Sequence, residues 1–164
     1  MELINKSVYL KVPSIEELSL TEYLLNDPDT MKFNQKWGGT VSFPKEQWSA
    51  FFDQYIQNPD RHYFHIYNLD GIFVGEVSSR YDDTFQNHVL NIKVLHKFRG
   101  NHHGSDALEL FLEYMFDTIG IEEIIDHVGY DSIGGIKLLE SFGFREMTRT
   151  NEYILLGLKK SDFY

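Results

Sequence analysis

Hydrophobic and polar positions change period several times along this chain, and each change marks an element. Val8, Leu10 and Val12 alternate with Ser7, Tyr9 and Lys11, the period-two signature of a strand. Ser14-Ile-Glu-Glu17 forms a capping box, and Leu18, Tyr23, Leu24 and Leu25 follow on one helical face. Pro44 opens a second helix as its first residue. Trp48, Phe51, Phe52, Tyr55 and Ile56 lie at helical spacing behind it, and Asn58-Pro59 ends it. Strands near residues 62–67 and 71–81 are joined by the turn signal Asn68-Leu-Asp-Gly71. Asp82-Asp83 closes that hairpin, and a third strand covers residues 88–95. Ser105 begins a helix whose stripe is Ala107, Leu108, Phe111, Leu112, Met115 and Phe116, stopping at Gly120. A strand over 123–130, a short helix over 134–142 and a strand pair over 144–149 and 152–158 complete the pattern. The order is β-α-α-β-β-β-α-β-α-β-β, which predicts an α/β fold on a mixed sheet. The strand–loop–helix at its middle is a natural ligand site.

Length and composition narrow the class. The 164 residues fit one domain, 1–164, with no repeat, linker or low-complexity tract. Hydrophobic residues at 42% and charged residues at 24% exclude disorder and fibrous repeats. Without cysteine there is no disulfide framework, thiolate nucleophile or Cys-ligated zinc. His62 and His65 lie three apart on a strand, hence on opposite faces, so no metal site is expected. The first residues lack the basic and apolar regions of a signal peptide, and no apolar run approaches the roughly 20 residues of a membrane span. The expected location is the cytoplasm, with no membrane partner.

The net charge of −10 argues against nucleic acid as a partner, because phosphate neutralisation needs a basic face. It would draw a cationic small molecule or a basic peptide, although acidic solubility is the plainer explanation. From Thr84 to Ser105 the chain nonetheless carries no acid, and it holds Lys93, Lys97, Arg99 and four of the seven histidines.

That stretch contains the informative segment, Val94-Leu-His-Lys-Phe-Arg-Gly-Asn-His-His-Gly-Ser105. Here a strand gives way to a short basic loop and then to a helix. Loop N–H groups beside a helix N-terminus favour an anion, and Arg99 adds a cation. The Gly-Lys-Ser/Thr ending of a P-loop is missing.

Arg99-Gly-Asn-His102-His-Gly104 before an amphipathic helix resembles the Arg/Gln-x-x-Gly-x-Gly/Ala signature of the GNAT family of acetyl-CoA-dependent N-acetyltransferases. Asp131-Ser-Ile-Gly-Gly-Ile-Lys-Leu-Leu-Glu-Ser-Phe-Gly143-Phe144 resembles a second family element, and the element order is the family's as well. The opening Leu10-Lys-Val-Pro-Ser-Ile-Glu-Glu-Leu, with Asn26-Asp-Pro-Asp29, looks like the branch of ribosomal-protein N-terminal acetyltransferases. The resemblance implies a GNAT fold and acetyl transfer from acetyl-CoA to a primary amine, on a small molecule or a peptide, by direct attack. It implies that Arg99, Gly100, Asn101, His102, His103, Gly104 and Ser105 hold the coenzyme A pyrophosphate. It further implies that Val94 and Leu95 pair with the pantetheine arm, with a backbone N–H near Leu95 facing the acyl oxygen. Relatives are often dimers, which makes a homodimer one expectation.

Three positions depart from the family pattern. His102 replaces the first signature glycine, Ser132 the pantetheine-contacting Asn, and Leu139 the Tyr that protonates the leaving thiolate; Tyr130 is a candidate substitute. For the general base there are two candidates, His88 and Glu76. Two other readings stand beside enzyme catalysis: a coenzyme A-binding protein without turnover, and a binding module whose loop is only a tight turn.

Overall fold

A computed structural model describes residues 1–164. Its centre is one eight-stranded sheet of strand order β1-β2-β3-β4-β5-β6-β8-β7. The strands are β1 (Glu2–Ile4), β2 (Val8–Lys11), β3 (Arg61–Asn68), β4 (Phe73–Asp82), β5 (Asn87–Val94), β6 (Glu123–Gly129), β7 (Arg145–Arg149) and β8 (Tyr153–Lys159). Between them lie α1 (Leu18–Leu25), α2 (Trp48–Phe51, extended by a π turn over Phe52–Ile56), α3 (His103–Glu113, extended by a π turn over Tyr114–Ile119), α4 (Ile133–Ser141) and α5 (Lys160–Phe163). The mixed α/β architecture expected from the pattern is present. No helix is long and apolar enough to cross a membrane.

Local chemistry sets the boundaries. Glu17 N–H donates to Ser14 Oγ at 3.3 Å while Ser14 N–H donates to Glu17 Oε1 at 3.0 Å, so the capping box leads into α1 as its spacing predicts. Asn68 Oδ1 accepts from Asp70 N–H and Ile72 N–H, each at 3.0 Å, and closes the β3–β4 turn. Gly120, at φ +86°, ends the α3 segment, a conformation that costs glycine little.

The structure corrects the sequence reading in five places. β1 is an added strand, turned back onto β2 by Asn5, whose Oδ1 accepts from Ser7 and Val8 N–H. Three residues are too few to show an alternation. A 3-10 segment, Thr30–Trp37, follows α1, and α5 adds a last turn whose Phe163 packs on Phe116. α3 starts at His103 rather than Ser105, because His102 takes a left-handed conformation and its carbonyl accepts the first helical bond from Asp106 N–H at 2.9 Å. Pro44 is the extended residue before the second helical segment, which starts at Lys45.

The sheet separates two apolar layers. On one face Val8, Leu10, Phe64, Ile66, Val77 and Leu90 pack beneath the α3 stripe of Ala107, Leu108, Phe111, Leu112 and Met115. On the other, Leu24 and Met31 cover Tyr67, Phe73 and Leu95. The first is the α3 side and the second the α1 side.

Candidate active site

β5 and β6 form the sheet's one parallel pair, and it is short. Only His88↔Ile124 and Val89↔Ile125 are in register. Beyond them the strands part, leaving a cleft of about 1220 Å³ between Leu90–Val94 on β5 and Asp126–Gly129 on β6. The N-termini of α3 and α4 both open onto it.

The β5 backbone has a fixed orientation at this gap. Leu95 N–H donates to Val74 O at 2.8 Å, toward β4. In a strand the bonding groups alternate sides, so Leu90, Ile92 and Val94 turn theirs toward the gap. Val94 turns its N–H toward the gap, whereas Leu95 is buried and its N–H is spent on β4. The Val89↔Ile125 rung takes up the Leu90 N–H, so any donor to a ligand in the gap comes from Ile92 or Val94.

The loop after β5 is an amide cradle. A 3-10 turn over His96–Phe98 gives way to Arg99, then Gly100 at φ +85° and His102 at φ +65°. The N–H groups of Gly100, Asn101, His102, His103, Gly104 and Ser105 have no partner within the chain. Six such donors at a helix N-terminus make an anion site through partial charges alone. A Cβ on Gly104 would lie 3.3 Å from Val94 Cγ2, so glycine is what lets the helix start this close to β5. Arg99 commits two of its five N–H donors to the chain. Its Nε donates to Val94 O at 3.1 Å and its Nη2 to Thr30 O at 3.2 Å, clamping the loop to β5 and to the 3-10 segment. Ser132 caps α4 and lines the cleft without using its hydroxyl as a cap. Leu139 is a buried lining residue, and Tyr130, outside the lining, donates its hydroxyl to Thr150 O.

Neither sequence candidate for the base lines the cleft. The His88 ring packs edge-on against Tyr81, 5.3 Å between centroids, and burial lowers its pKa. Glu76 is buried, only 6% exposed. Lys93 Nζ sits 3.1 Å from its Oε1, and Tyr63 donates its hydroxyl to the same carboxylate. Burial pushes this carboxyl up, but the Lys93 charge and the Tyr63 hydroxyl outweigh it and hold the pKa below its ordinary value. The network continues through Thr21 Oγ1, 2.9 Å from Tyr63 Oη and 2.8 Å from His65 Nε2. With Tyr63 donating to Glu76, Thr21 donates to Tyr63, and His65 Nε2–H donates to Thr21. This fixes the His65 tautomer and leaves its buried Nδ1 without a partner.

The sequence reading missed His127. It lies on β6 at the cleft wall, exposed on the α1 side, between Phe85 at 5.9 Å and Tyr153 at 5.5 Å. Partial burial, then the charge of Arg80, lower its pKa, so the ring is neutral and basic at neutral pH. Its place on a predicted strand shortly before a helix was the available signal. Asp126 precedes it on the α3 side, and burial pushes its carboxyl well above the ordinary range.

Comparison with known proteins gives concordant findings. The family model described as Acetyltransferase (GNAT) domain matches residues 8–145. An N-alpha-acetyltransferase of Sulfolobus acidocaldarius is 31% identical over 105 residues, covering 57% of this chain and 62% of that protein, less than two thirds of its length. Spermidine N-acetyltransferase from Vibrio cholerae, in complex with CoA and spermine, superposes with a TM-score of 0.82 at 15% identity, covering 97% of this chain and 99% of that one. An acetyltransferase of the same family from Bacillus anthracis superposes at 0.78 with 14% identity, covering 98% and 99%.

Proposed function

The chain belongs to the GNAT acetyltransferase family, and from that premise we propose that it transfers an acetyl group from acetyl-CoA to a primary amine by direct attack. The observation that carries this reading is the amide cradle set at the mouth of a parted strand pair. A pyrophosphate fits six free N–H donors at the α3 N-terminus. An extended amide-bearing arm fits the gap-facing groups of Leu90, Ile92 and Val94, which pair with it as a strand would. Bound there, the donor supplies an activated thioester acyl group.

The chain's own residues do the rest. Arg99 holds the cradle in register with β5. The N–H of Ile92 faces the gap and donates to the acyl oxygen, taking the role the sequence reading gave to Leu95. His127 accepts the proton that an ammonium acceptor must lose before it attacks. No phenol occupies the Leu139 position, so the thiol leaves as thiolate; its ordinary pKa near 8.5 allows this. That same missing phenol is what favours the second reading, coenzyme A binding without turnover.

Calorimetric titration with acetyl-CoA and with CoA, followed by thiol release on an amine panel, tests both readings. Micromolar binding with thiol release on one amine supports the enzyme. Binding without release on any amine supports the second reading, and absence of binding at millimolar ligand overturns both. His127→Ala should lower kcat by about a hundredfold and remove the lower limb of the pH–rate profile, with CoA affinity retained.

A further inference from the structure

We propose that the acceptor amine carries an anionic oxygen group, a carboxylate or a phosphate, received by Arg61 on the α1 side of the cleft. The inference rests on the acetyl-transfer reading and specifies its second substrate. Strand register places three rows of side chains on that wall. Arg61 stands opposite Arg80, Tyr63 opposite Ser78 and Asn91, and His65 opposite Glu76 and Lys93. Two arginines directly opposite on one face repel one another, an arrangement that costs stability unless anions relieve it.

The chain relieves only part of this charge. Arg80 Nη1 sits 2.6 Å from Asp82 Oδ2, and Lys93 is matched by Glu76. Arg61 has no carboxylate partner. Its guanidinium lies 3.8 Å over the Tyr55 ring, which fixes its plane, and its Nη1 is buried with no hydrogen-bond partner. A buried guanidinium donor without an acceptor is costly, and a planar fork held by an aromatic ring is preorganised for two parallel oxygens. Lys32, on the 3-10 segment at the same wall, also lacks a carboxylate partner.

Acids do not balance these cations from inside the cleft. Asp126 lies on the α3 side, where burial favours its neutral form, and Asp131 is exposed beside α4. The acceptor wall thus retains two unmatched positive charges in a chain of net charge −10. A polycation drawn by the net charge would meet Arg61 and Lys32 in the cleft.

The test uses the full chain in two stages. Calorimetry with acetyl-CoA comes first: without binding, the acetyl-transfer reading itself fails. Thiol release is then measured on matched amines, ethanolamine against phosphoethanolamine, glucosamine against glucosamine 6-phosphate, and peptides beginning Ala-Ala against Ala-Asp, with spermidine as the polycation. The anionic member of at least one pair should show kcat/KM more than about tenfold above its neutral partner. The phosphate and peptide arms separate the two sources of the anion. Arg61→Gln should erase most of that ratio and Arg61→Lys should keep part of it. Equal rates within every pair, a preference for spermidine, no release from any amine, or a ratio untouched by Arg61→Gln overturns the proposal.

Discussion

His102 carries the largest departure from the family signature, and its backbone shows how the departure is absorbed. At φ +65° it holds the left-handed conformation that glycine would adopt freely, while its carbonyl accepts the first bond of α3. Histidine enters this region more readily than most residues, yet a Cβ there still costs about 1 kcal/mol. His102→Gly should therefore raise stability by about 1 kcal/mol, read as a higher denaturant midpoint with unchanged slope. His102→Val, branched at Cβ, should lower it by about 1–2 kcal/mol and weaken acetyl-CoA binding, because the cradle amides shift with the backbone. A glycine variant no more stable than the parent would show that the histidine side chain compensates the strain.

Elements were legible to the degree that their signals are local. The capping box, the Asn68 turn, the α3 stripe and the stop at Gly120 each depend on residues within one or two turns, and each stands where the spacing puts it. β1 was not legible because its three residues are ordered by pairing with β2, not by their own pattern. The direction of the Leu95 N–H, the clamp made by Arg99, and the Arg61–Arg80 row depend on register between strands far apart in the chain. Alternation within one strand carries no information about which edge its neighbour occupies. His127 escaped notice for the same reason, since only the parting of β5 and β6 makes its position a cleft wall. The two glycines bounding α3 should behave differently. Gly120→Ala should cost about 1 kcal/mol through its positive φ with acetyl-CoA affinity retained. Gly104→Leu should reduce that affinity at least about tenfold by prising the helix start from Val94, comparable to losing about 1.4 kcal/mol. Paired melting and calorimetric measurements on each variant separate the two effects.

For the whole molecule, the buried network beneath α1 sets the response to acid. Burial holds the His65 imidazole down at about 4, from an ordinary 6.5, against the pull of Glu76 and Glu17. The unfolded chain accepts that proton near 6.5 while the folded chain declines it. The stability gained is complete above 6.5 and is lost as pH falls toward about 4. Glu17 follows lower down. Partial burial raises its carboxyl, but the Ser14 N–H, Lys11 and the Ser14 and Tyr67 hydroxyls outweigh it and bring it to about 2. Its contribution is intact above 4.5 and fades between 4.5 and about 2. Melting temperature should accordingly decline in two stages on acidification, and His65→Gln, which keeps a donor toward Thr21, should remove the upper one. A melting temperature flat from 6.5 to 4 would mean that His65 takes up its proton without unfolding.

The two rungs between β5 and β6 have a mechanical meaning as well as a chemical one. Residues 2–94 and 123–159 form two plates joined along the sheet at His88–Val89 and Ile124–Ile125, so the sheet is slotted almost through at its middle. An extended guest laid in that slot completes the missing rungs and splints the plates together. The shortest pairing in the sheet thus coincides with the place where an occupant adds rungs.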